Sequence, residues 1–332
     1  MIRDRIKYVD YLRAFAITLM VLGHSGIPSD GIIRSWIYGF HMPFFIFLSG
    51  FFAKCPYSIP VSINKYVKSL IKPYLFFSVF LIPFSFLVDY LIGNHIRTEE
   101  IVAIVFAKLV MLDNNSCGPI WFLLALFVIR LLFDSLFFLF KGNDKKNIWL
   151  AFLVVLLFLV LYGLYNMSYF SLFAIGSAFA LFPFFVLGWI CGSVNKTPRK
   201  IPLPVVFAMF VAYLVISSNN GYVDFAQLKF GHNIITTYFT ASVGCISICY
   251  LGKAYFSNYH NNLLLKIGEY SIGILGFHII FIQIFRYIYK ILINEIIPLW
   301  YLLLMSILVC LICYLCTLIV MKVNPCLIGK NK

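Results

Sequence analysis

The sequence predicts an all-α polytopic membrane protein of about ten transmembrane helices with both termini in the cytoplasm. Three observations predict it. Hydrophobic residues fill 62% of the 332 positions and charged residues only 11%, against roughly a quarter charged in soluble domains. Apolar runs near 20 residues, the length that crosses a hydrocarbon core, recur along the whole chain. Lys and Arg cluster in alternate connections between those runs, as their enrichment in cytoplasmic loops requires.

The runs lie at approximately 9–27, 35–54, 73–93, 119–140, 147–164, 170–193, 202–218, 234–256, 270–290 and 298–321. The opening MIRDRIK and the apolar run after it imitate a secretory signal. No small-residue cleavage site follows and the run contains charges, so it reads as a retained first helix. The stretch Ile101–Leu112 is too short to span and holds Lys108, which suits an interfacial or re-entrant piece. With the N-terminus inside, eighteen of the 26 Lys and Arg fall on the cytoplasmic side. Five fall outside (Arg34, Arg97, Lys108, Lys229 and Lys290), and Arg13, Arg130 and Arg286 lie within helices. The net charge of +14 is therefore spread over short loops. It forms no single stripe, which removes nucleic acid as a partner.

There is no Pro/Ser-rich linker, soluble domain or internal repeat, so residues 1–332 read as a single membrane domain. The nine cysteines form no extracellular framework. Cys310, Cys313 and Cys316 recur every third residue in an apolar run with no nearby His or carboxylate, which indicates helix packing and no metal site.

The first run, YVDYLRAFAITLMVLGHSG, carries Asp10, Arg13 and His24. Eleven residues at 100° each make roughly three turns, so Arg13 and His24 share a face about 16 Å apart along the axis. Asp10, three residues before Arg13, can pair with it. Ionisable groups inside a span generally face the bundle interior or an aqueous cavity and mark function. The competing reading has Asp10 and Arg13 snorkelling to the inner interface. His41, in the outer part of the second run, lies at the depth of His24, where two histidines can handle a proton or position a hydroxyl. Ser49 and Gly50 read as small residues that allow close helix packing. Lys65, Lys68 and Lys72 fall on one side of a cytoplasmic stretch, where anionic lipid or topology accounts for them. Glu269 opens the ninth run, and His278, nine residues on, lies on the opposite face, so the two form no helical dyad. Trp121 begins the fourth run at the interface where tryptophan belongs. Asp89, Arg130, Asp134 and Arg286 read as interfacial or packing charges.

Arg13 followed eleven residues later by His24, with FHMPFFIFLSGFF (40–52) in the second run, resembles the acyltransferase-3 family of integral membrane O-acyltransferases. The FHMPFF…SG form is most similar to its fucose 4-O-acetylase-like group. KYVKSLIKPY, GPIWFLLALF (118–127), FPFFVLGW (182–189) and IGEYSIGILGFH (267–278) extend the resemblance over nearly the whole chain. The chain departs from many members in carrying lysines where they have arginines after the second run.

The resemblance implies transfer of an acyl group, acetyl above all, from cytosolic acetyl-CoA or another acyl-CoA to a hydroxyl of a glycan or its lipid-linked precursor, with no metal. It implies a catalytic set of His24, Arg13, Asp10, His41 and Glu269. Arg13, Lys65, Lys68 and Lys72 would meet the donor phosphates, and Trp121, His41 and His278 the acceptor. His24 suits the base because imidazole titrates near neutrality. Arg13 suits the anion because guanidinium is always charged. The rival from another class is a multi-spanning transporter or glycan flippase whose charges line a path.

Overall fold

The structure, a computed structural model, describes residues 7–28, 31–54, 58–91, 98–106, 109, 118–139, 173–194, 201–293 and 297–330. The helices among them are α1 (Lys7–His24), α2 (Ile32–Phe51), α3 (Ile59–Tyr66), α4 (Lys72–Leu91), α5 (Thr98–Phe106), α6 (Trp121–Leu139), α7 (Ile175–Val194), α8 (Leu203–Asn220), α9 (Ile234–Phe256), α10 (Asn262–Glu269), α11 (Ser271–Leu292) and α12 (Leu299–Val323). A short antiparallel hairpin, β1 (Val223–Asp224) and β2 (Lys229–Phe230), joins α8 to α9.

Seven described helical stretches are long and apolar enough to cross a membrane: Ile59–Phe84, Gly118–Phe138, Ile175–Ser193, Leu203–Asn220, Ile234–Phe256, Ser271–Leu292 and Leu299–Val323. α1 and α2 have the length but are more polar, α1 through Lys7, Asp10 and Arg13 and α2 through Arg34, Ser35, His41 and Ser49. The run expected at 147–164 lies outside the described residues. Most other boundaries fall within a few residues of those read from hydropathy. The largest difference is at residues 59–72, expected as a cytoplasmic connection. Ser58 caps α3 by accepting from the Val61 N–H, and a π-helical turn over Val67–Ile71 joins α3 to α4 without a break.

The chain divides into two compact units. The first comprises Met1–Ala53, Phe184–Phe225 and Lys229–Thr317, and the second Lys54–Pro183, Ala226–Leu228 and Leu318–Lys332.

In the first unit, α2 meets the segment of α7 after Pro183 backbone to backbone. A Cβ on Gly50 would stand 2.0 Å from the Phe185 carbonyl oxygen, and one on Gly188 would stand 2.0 Å from that of Phe47. Gly192 meets Phe51 in the same way. The GWICG run (188–192) is thus a small-xxx-small contact of the kind membrane helices use, and Gly50 has the packing role read for it. Phe40, Phe44, Phe47 and Phe51 then line one side of α2 and form a core with Tyr8, Val9, Leu12 and Ala16 of α1, Tyr213 of α8, and Cys245, Ile248 and Cys249 of α9. Asn233 and Asn261 cap α9 and α10, each side-chain oxygen accepting two backbone N–H bonds that water would otherwise have to satisfy. α10 lies directly on α1, with a Cβ on Gly268 falling 1.9 Å from the Asp10 carbonyl oxygen.

In the second unit, the Tyr66 hydroxyl donates to Asp134 Oδ2 at 2.8 Å, which satisfies a carboxylate buried in α6. Asp134 is therefore a packing charge, as read. The turn at Gly329 packs on the π-helical turn against the Ser69 backbone.

Candidate functional site

α1 is one continuous helix, and it carries its chemistry at two poles. Near its start Arg13 Nη1 donates to Asp10 Oδ1 at 3.1 Å, and the guanidinium lies 5.3 Å from the centre of the Phe52 ring. Asp10 is buried and Arg13 is about a third exposed. A rigid planar cation is held here by a carboxylate on one side and an aromatic face on another. Gly268 allows α10 to close on the Asp10 backbone, which brings Glu269, half-buried at the end of α10, to the vicinity of this pole. Glu269 and His278 lie on different helices, because α10 ends at Glu269 and α11 starts at Ser271. The ninth run, read as 270–290, corresponds to α11, and Glu269, read as opening it, instead ends the separate helix α10.

The other pole is a histidine cluster at the end of α1. The rings of His24 and His278 are 5.3 Å apart, those of His24 and Tyr38 5.9 Å, and those of Tyr38 and His41 5.1 Å. His41 is 2% exposed and His278 0%, whereas His24 is partly exposed. Backbone carbonyls select the tautomers. His41 Nδ1 stands 2.7 Å from the Ile37 oxygen and His278 Nδ1 2.8 Å from the Leu275 oxygen. A carbonyl only accepts, so Nδ1–H donates in both rings and each Nε2 retains its lone pair. The Tyr38 hydroxyl donates to the Gly23 carbonyl at 3.5 Å and lies 3.4 Å from His24 Nδ1. With the phenol proton turned to the carbonyl, its oxygen accepts from Nδ1–H, and the His24 Nε2 lone pair is also left for chemistry. Among the described residues no three His, Cys, Asp or Glu side chains are placed to hold a metal ion. The arrangement suits proton transfer.

Arg34, Tyr38 and Tyr222 complete this pole. The Arg34 guanidinium lies 4.7 Å from the Tyr38 ring centre and 4.9 Å from that of Tyr222. Its Nη1 donates to the Ile27 carbonyl at 2.8 Å, and Nη2 is 3.5 Å from the Tyr222 hydroxyl, which in turn donates to Asp224 Oδ2 at 3.0 Å. The clasp pins the hairpin and the α1–α2 turn beside His24. Gly26 in that turn has φ +109, and a Cβ there would strike the Arg286 guanidinium. Sequence reading treated Arg34 as a loop charge and passed over Tyr38, Tyr222 and Asp224. A signal was present in part: Arg34, Tyr38 and His41 are spaced i, i+4, i+7, one face of a helix. Tyr222 and Asp224 carried none, since only tertiary packing brings the hairpin there.

The structure therefore places Asp10, Arg13, His24, His41, Glu269 and His278 in the first unit and brings three of the histidines together. Lys65, Lys68, Lys72 and Trp121 belong to the second. The three lysines are exposed along α3, the π-helical turn and the start of α4. Trp121 is buried at the first position of α6.

A family model described as an acyltransferase domain matches residues 6–318. No curated protein and no solved structure matches the chain. The matched span contains both poles of α1 and all the apolar helices but the end of α12, and the chain belongs to the acyltransferase-3 family of multi-pass membrane proteins.

Proposed function

We propose that the protein is a membrane O-acyltransferase of the fucose 4-O-acetylase-like kind, moving an acetyl group from cytosolic acetyl-CoA to a hydroxyl of a cell-surface glycan or its lipid-linked precursor. The observation that carries this reading is the single helix α1, with a held arginine at one pole and a histidine cluster at the other. The poles are about 16 Å apart along the axis. A coenzyme A thioester has its anionic phosphates and its acyl group at opposite ends of a long arm, and the two poles match that polarity.

In this reading Arg13, oriented by Asp10 and Phe52, meets the donor phosphates, and Glu269 shapes that end. The exposed Lys65, Lys68 and Lys72 supply cationic charge of the kind such phosphates attract. His24 takes the proton of the acceptor hydroxyl through Nε2, with Tyr38 orienting the ring and His41 beside it. The protein sits in the cell membrane with both termini cytoplasmic, so the donor enters at the Arg13 end and the acyl group is delivered toward the far leaflet.

The test uses inside-out vesicles containing the protein, with radiolabelled acetyl-CoA outside and glycan acceptors within. Wild type is expected to transfer label to glycan and His24→Ala to transfer it at least about 100-fold more slowly at a matched folded amount. Full transfer by a well-folded His24→Ala variant would remove His24 as the base. No transfer by wild type from acetyl-CoA or other acyl-CoAs to a range of glycans would remove the donor and acceptor named here.

A further inference from the structure

Resting on the acyl-transfer reading above, the geometry points to His278 as a second histidine that contacts the substrate. We infer that the acceptor hydroxyl donates its hydrogen bond to His278 Nε2 and that His278 and His24 share its proton. The first support is an unmet hydrogen bond. His278 is fully buried on α11, its Nδ1–H is committed to the Leu275 carbonyl, and its Nε2 has no hydrogen-bond partner among the described residues. A buried acceptor left unmet costs about 1–3 kcal/mol, and native structures keep few such atoms without a reason such as catalysis or a bound group.

The second support is its neighbour. The centres of His24 and His278 are 5.3 Å apart. The two rings are thus close enough for one hydroxyl to lie beside both. The third is the surrounding wall. Arg34 Nε is likewise buried with no hydrogen-bond partner among the described residues, and Arg34 lies against Tyr38, the ring that touches His24. An unmet acceptor, an unmet donor and aromatic faces in one cluster match a polyhydroxylated ring, whose hydroxyls both donate and accept and whose C–H faces pack on tyrosine.

The step balances within the substrates. The acceptor oxygen bonds to the acyl carbon as its O–H bond breaks, and the carbon–sulfur bond of the thioester breaks in turn. The proton passes from the oxygen to the histidine pair and from the pair to the departing thiolate. His24 and His278 end as they began.

The experiment compares wild type, His24→Ala, His278→Gln, His278→Asn and the His24→Ala/His278→Gln double variant in the vesicle assay. Acetyl-CoA binding and gel-filtration behaviour serve as folding controls. Gln and Asn keep an oxygen that can accept from the hydroxyl but cannot take its proton. His278→Gln is expected to lose about 100-fold in kcat with acceptor KM within about threefold of wild type, and the double variant to be no slower than the slower single variant, because the two rings handle one proton. Wild-type kcat in either folded His278 variant, or losses that multiply in the double variant, would overturn the inference and leave the acyl-transfer reading intact. Absence of transfer by wild type would overturn both.

Discussion

Gly268→Ala tests whether the contact between α10 and α1 sets the arginine pole. A Cβ at this position would lie 1.9 Å from the Asp10 carbonyl oxygen and 2.7 Å from its carbon, against 3.4 Å for the start of ordinary contact. The obstacle is helix backbone and not a side chain, so no rotamer relieves it. α10 must withdraw by about 1.5 Å, the difference between those distances, at the point that positions Glu269 near Asp10 and Arg13. Overpacking of this type costs typically 1–3 kcal/mol and more where backbone must move, and a displacement of about 1 Å at a reacting group can cost 100-fold in rate. Thermal unfolding in detergent and acetyl transfer in vesicles measure the two effects. Gly118→Ala is the control, because among the described residues a Cβ there meets nothing within 4 Å, while the backbone conformation, φ +57, opposes it. That conformation costs about 1–2 kcal/mol for a residue other than glycine. The reasoning is refuted if Gly268→Ala matches wild type in both stability and transfer while Gly118→Ala shows its modest loss.

Arg13→Lys is expected to fold normally and to lose most transfer, with the loss appearing in the KM for acetyl-CoA, because an ammonium cannot bond Asp10 and lie flat on Phe52 while presenting a fork to phosphate. Tyr38→Phe keeps the ring under Arg34 and removes the hydroxyl beside His24 Nδ1. A loss of about tenfold in kcat at unchanged stability is expected from the less well-oriented base, and unchanged kcat would remove Tyr38 as its orienter. Tyr66→Phe leaves buried Asp134 without its tyrosine donor and is expected to destabilise the protein by about 1–3 kcal/mol in a melting experiment.

The amino-acid sequence alone determined the class of the protein and the contents of α1. Spans are legible because lipid cannot hydrogen-bond the backbone, which forces long apolar helices that composition reveals. The shared face of Arg13 and His24 follows from helical periodicity, a local property. The same locality explains what went unread. Whether residues 59–72 loop or continue as helix depended on the Ser58 cap and a π-helical turn, and hydropathy did not show that Glu269 ends a separate helix, α10, before α11 begins. Tertiary structure alone brought His278 of α11 and Tyr38 of α2 against His24, and placed Tyr222 and Asp224 of the hairpin against Arg34. Tyr38 and His278 are 14 and 254 residues from His24 along the chain, and Tyr222 and Asp224 are 188 and 190 from Arg34. No periodicity links positions on separate elements, so their meeting is decided by packing: glycines that let helices close backbone to backbone, and carbonyls that fix how each imidazole turns.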